Sequence, residues 1–177
     1  MLTQCIDLSF ARYITQSQLP EVYSTILDHD DYMTLRISRL KKCTLSITKM
    51  FQEVSPNNML NRCVVLHDDK GTAYIAAFIE IHLENLPLDV RDTLIHSNEP
   101  LGKVLFEKKI YPKFSNRKYL VTNREGILVP YLRDRIKMNH LYGRFHSLLT
   151  ASGKKIADVY EFVTYMEMDS VSQVCEA

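Results

Sequence analysis

The most constraining stretch is a strand–turn–strand unit in the first half of the chain. Met59-Leu60-Asn61-Arg62-Cys63-Val64-Val65-Leu66 leads into His67-Asp68-Asp69-Lys70-Gly71, and Thr72 to Ile81 returns through Tyr74, Ile75, Phe78 and Ile79. Both arms are rich in β-branched and aromatic residues, and the Asp/Gly segment between them is hairpin chemistry. The second arm is nearly continuous in apolar residues, which suits a central strand packed under helices. Side chains alternate faces along a strand, so Leu60, Arg62, Val64 and Leu66 share one. A cation among three aliphatic residues needs a partner.

The rest of the chain supplies elements around this hairpin. Pro20 opens a short helix with Val22, Tyr23, Ile26 and Leu27 on one face, and Tyr32 to Leu40 forms a second, packing through Met33, Ile37 and Leu40. Residues 44–51 alternate as a strand. Asn85-Leu86-Pro87 starts a helix running to Ile95, with Leu88, Leu94 and Ile95 available for packing, and a brief helix spans Lys103 to Phe106. A strand lies within 109–123, whereas 126–135 has no decisive period. Leu141 to Leu149 and Lys155 to Tyr165 are strands joined by the Ser152-Gly153-Lys154 turn. The segments 1–17 and 167–177 are expected to fray. This order predicts one α+β domain over residues 1–177, built on a mainly antiparallel sheet of about six strands.

Composition excludes several classes. The 177 residues carry a formal net charge of +1, so no global field attracts nucleic acid, and no helix-turn-helix pattern is evident. The run Arg36, Arg39, Lys41, Lys42 reads as a solvated helix face. Cys5, Cys43, Cys63 and Cys175 lack zinc-finger spacing and read as free thiols, the first and last near mobile ends. The six histidines show no H-x-x-x-H pattern, and no phosphate loop or nucleophile elbow is present. No apolar run is long enough to span a bilayer and no basic-then-apolar leader opens the chain, so a cytoplasmic location is expected. No cofactor and no obligatory protein partner are expected.

In the last strand Ala157, Val159, Glu161 and Val163 share a face, so Glu161 is a second charge on an aliphatic surface. Arg62 and Glu161 could meet as a buried structural pair or flank an anion site. Tyr142-Gly143-Arg144 offers another cation, with an exposed arginine as the default. Glu99-Pro100-Leu101-Gly102 precedes a helix whose first N–H groups are unsatisfied.

These pieces together resemble the chorismate lyase (chorismate pyruvate-lyase) family, in its divergent bacterial and archaeal branch, over roughly residues 30 to 165. The resemblance is carried by Asp31-Tyr32-Met33-Thr34, the Arg62 strand, Glu99-Pro100-Leu101-Gly102, Tyr142-Gly143-Arg144, Ser152-Gly153-Lys154 and Tyr160-Glu161-Phe162. It implies an antiparallel sheet with helices on one side and flaps over an enclosed site. It also implies cofactor-free elimination of pyruvate from chorismate, giving 4-hydroxybenzoate. Carried over, Arg62 and Glu161 are the catalytic pair, and the backbone N–H groups of Met33 and Leu101 complete substrate binding. The family's tryptophans are absent, with Tyr142 in place of one. The last strand has one more residue before Glu161 than some members, and a slip of one would turn Asp158 or Tyr160 inward instead. The same fold family includes effector-binding domains of bacterial transcription regulators. A non-catalytic domain binding an aromatic carboxylate, and a related lyase forming a different product, are therefore the alternatives.

Overall fold

The computed structural model describes residues 4–134, 136 and 138–165; the expected fraying of 167–177, and Cys175, lie outside the described residues. In chain order the elements are β1 (Arg12–Ile14), α1 (Glu21–Leu27), α2 (Met33–Lys41), β2 (Ser46–Val54), β3 (Met59–His67), β4 (Ala73–His82), α3 (Leu88–His96), α4 (Leu101–Glu107), β5 (Lys113–Asn123), α5 (Pro130–Arg133), β6 (His140–Leu149) and β7 (Lys155–Val163). The seven strands form one antiparallel sheet in the order β1-β5-β6-β7-β4-β3-β2. The expected α+β architecture is present. The extra strand is β1, three residues paired to the edge of β5, too short to show a period.

The β3–β4 hairpin closes as its turn residues dictate. Asp68 accepts backbone N–H bonds from Lys70 (3.0 Å) and Thr72 (2.8 Å) and the Tyr74 hydroxyl (3.0 Å). Gly71 takes φ +81°, a conformation that favours glycine. Beyond the turn both arms are buried almost throughout.

The sheet is covered on both faces, which explains the long apolar runs. α1 to α4 pack on one face over Leu60, Val64, Ile79, Ile81, Val159 and Leu148. The other face holds Cys63, Val65, Phe78, Leu120, Leu141 and Phe162, covered by Cys5, Ile6, Ile127 and Leu132. Cys5 is therefore buried against Cys63 rather than near a mobile end; Cys5, Cys43 and Cys63 are free thiols. Three packing expectations fail for one reason. Val22, Leu40 and Leu88 are exposed, whereas Met33, Ile37, Val90 and Leu94 are buried. A helix of seven to nine residues makes barely two turns, so an apolar residue at either end can miss the sheet. Among the described residues no helix is long and apolar enough to cross a membrane.

Candidate functional site

Strand register places the polar side chains of the helix-covered face in rows. Arg62, Ile79, Val159 and His146 are successive partners across β3, β4, β7 and β6. Val64, Ala77, Glu161 and Arg144 form the neighbouring row. Glu161 thus lies directly across from Arg144. Arg62 is two strands from Glu161 and one row away, about 10 Å sideways at ordinary strand spacing. Arg62 and Glu161 therefore form no direct ion pair, the first of the two arrangements expected for them. Arg144 Nε donates to Glu161 Oε2 at 2.6 Å, and both side chains are almost fully buried. The exposed arginine expected at Arg144 is corrected as well. β6 carries apolar residues on both faces, so its alternation did not say which face its charges take.

The rows floor one cavity of about 60 Å³. Arg62, Ile79, Val159, Glu161, Arg144 and His146 line it from the sheet. Its roof is the start of α2, from Asp31 to Thr34, and the start of α4, from Pro100 to Gly102. Met33 and Leu101 are the first residues of these helices, so their N–H groups have no acceptor within the helix. All four expected site residues, Met33, Arg62, Leu101 and Glu161, therefore line the same cavity. The register at Glu161 also holds: Asp158 sits on the opposite face and accepts from Ser147 Oγ at 2.6 Å.

The roof is tied down at both ends. Arg144 Nη1 donates to the carbonyls of Leu27 (3.1 Å) and His29 (2.8 Å), and Nη2 to that of Asp31 (3.4 Å). Arg117 reaches the same α1–α2 loop through Asp28, Asp30 and the His29 carbonyl, and Tyr119 adds a 2.6 Å bond to Asp28. The α3–α4 loop is held by Lys49 on the Ser97 carbonyl (3.2 Å) and Gln52 on that of Ile95 (2.7 Å). Gly102 lets the two roof helices close, because a Cβ there would stand 2.6 Å from the Tyr32 ring.

The two buried arginines differ in what they hold. Every nitrogen of Arg144 donates to a protein acceptor. Arg62 is 1% exposed and makes one long bond, Nη1 to the Glu99 carbonyl at 3.4 Å, leaving Nε and Nη2 without partners. Burial pulls its guanidinium down to about 10. His146 is also buried, with Nδ1 unpartnered. Burial, and then Arg144, hold its imidazole well below the usual histidine range, so the ring is neutral. Among the described residues no group of three or more metal-ligating side chains comes together.

Neither a protein-family model nor a curated protein matches this chain. Solved structures do. The effector domain of PhnF from Mycobacterium smegmatis superposes with a TM-score of 0.59 at 8% identity, covering 76% of this chain and 88% of that one. The fold is chorismate lyase-like. Against the longer PhnF structure the TM-score is 0.60 at 9% identity, covering 77% of this chain but only 64% of PhnF. A gene product of Staphylococcus aureus gives 0.53 at 10% identity, with 77% and 90% covered. At such identities the likeness is one of fold.

Proposed function

We propose that this chain is a small-molecule-binding domain that takes a compact carboxylate into the cavity beneath α2 and α4. One observation carries the reading: Arg62, buried, charged and without an acidic partner, lines the cavity with two unpartnered donor nitrogens, Nε and Nη2. Burying a charge without compensation is costly, and a carboxylate supplies the missing acceptors as a two-pronged partner. Met33 and Leu101 add backbone donors from the roof. The effector-domain description of the M. smegmatis relative supports the same reading.

Calorimetric titration with benzoate, 4-hydroxybenzoate and chorismate tests it. Arg62→Ala is expected to weaken binding about tenfold to a hundredfold, the range for hydrogen bonds to a charged group. Equal affinity in wild type and variant would remove Arg62 from the role.

A lyase is the second reading, favoured by the convergence of Met33, Arg62, Leu101 and Glu161 on one cavity. In that reading Arg62 clamps a substrate carboxylate, Glu161 orients the ring, and the closed roof excludes water. No cofactor or nucleophile is required, because aromatisation drives the elimination. Release of pyruvate and a phenolic acid from chorismate above background selects the lyase, and product mass separates it from one forming another product. Stoichiometric binding without turnover selects the binding domain.

A further inference from the structure

We propose that His146 is the specificity-determining residue of this cavity and selects a ligand bearing a hydroxyl at the end remote from its carboxylate. The inference rests on the carboxylate-binding reading and adds the chemistry of the ligand's other end. His146 stands in the same cross-sheet row as Arg62, three strands away, with Ile79 and Val159 between them as an apolar floor. Three strand spacings separate the two backbones by about 14 Å. Both side chains project from the helix-covered face into the cavity, so a ligand anchored at Arg62 presents its far end to His146.

At that end stand one unmet donor and one acceptor with capacity to spare. His146 Nδ1 lies 3.9 Å from Glu161 Oε2, beyond hydrogen-bond reach. The neutral ring carries one N–H, and the nearby carboxylate favours Nδ1 as its place. A hydroxyl oxygen about 2.8 Å from both atoms would close this gap. It would accept from Nδ1–H and donate to the Glu161 carboxylate. A second carboxylate there would meet Glu161 as a like charge, and the nitrogens of the nearby Arg144 are engaged, as Arg117 is by Asp28, Asp30 and the His29 carbonyl. An apolar end would leave Nδ1 unpartnered. Phe114, whose ring centroid lies 5.3 Å from that of His146, bounds the position and favours a flat ligand.

The test is the affinity ratio of 4-hydroxybenzoate to benzoate, measured by calorimetry on wild type, His146→Phe, His146→Asn and Arg62→Lys. A site built to hydrogen-bond a hydroxyl discriminates strongly against the analogue lacking it. Wild type is expected to prefer 4-hydroxybenzoate by about tenfold or more. His146→Phe should bring the ratio within about twofold, whereas His146→Asn, which keeps an N–H near the Nδ1 position, should retain much of it. Arg62→Lys should weaken both probes in proportion. Circular dichroism melting verifies that each variant is folded, and His146→Leu, which also removes the N–H, carries the test if the phenylalanine variant is not. A wild-type ratio near one, or a ratio that a folded His146→Phe or His146→Leu leaves unchanged, overturns the assignment while carboxylate binding stands. Failure of wild type to bind either probe at millimolar concentration overturns carboxylate binding and this inference with it.

Discussion

At the scale of single residues, Arg62 and Arg144 are the informative contrast. Arg144 is a structural cation: its nitrogens hold Glu161 and fasten the α1–α2 loop. Arg62 is a cation whose compensation is left open. Sites kept ready for a ligand commonly lower the stability of the empty protein. Arg62→Met, similar in volume and apolar, is therefore expected to stabilise the ligand-free chain by about 1–3 kcal/mol while weakening carboxylate binding as Arg62→Ala does. Urea unfolding checks the first part, and a variant less stable than wild type would contradict it. Arg62 was legible in the sequence because three aliphatic residues flank it on one strand face. The inward placement of Arg144 and His146 was not. Their strand has Leu141 and Phe145 on one face and Tyr142 and Leu148 on the other, and a sheet buried on both sides erases the alternation that reveals an inner face.

At the scale of elements, the seam between α2 and α4 decides whether the cavity is closed. Gly102 abuts the Tyr32 ring with no room for a methyl group. Gly102→Ala should part the two helix starts, cost about 1–3 kcal/mol as overpacking does, and weaken binding of any ligand the roof encloses. Thermal melting and titration read the two effects. The double variant with Tyr32→Ala should recover part of each, since residues in contact couple. The hairpin, the α3 boundary and the last two strands were all readable from turn chemistry and β-branched runs. The roof was readable only in part. Pro100 announces a helix start, but closure of α4 onto α2 depends on Tyr32, distant in sequence and without a local pattern to mark it.

For the molecule as a whole, buried neutral histidines link stability to pH. His29 is half-buried, and burial followed by Arg144 depresses it to about 4; His146 is lowered in the same direction. An unfolded chain binds protons at both rings near pH 6.5, where the folded chain does not, so acid favours unfolding. Stability is expected to be full above pH 6.5 and to fall as pH drops toward 4. His29 contributes about 1–2 kcal/mol of this loss, less than the full linkage because solvent screens a half-exposed ring. Urea midpoints at pH 7 and pH 5 measure it, His29→Asn should flatten the slope, and equal midpoints for wild type would refute the linkage. The sheet order has a kinetic consequence. β7, the last strand in sequence, lies between β6 and β4, at the centre. Its pairing with β4 is the one ladder that joins β2-β3-β4 to β1-β5-β6-β7. Arg62 belongs to the first group and His146 to the second. That pairing is non-local, of the kind that slows β-rich chains and leaves unpaired edges open to aggregation until it forms.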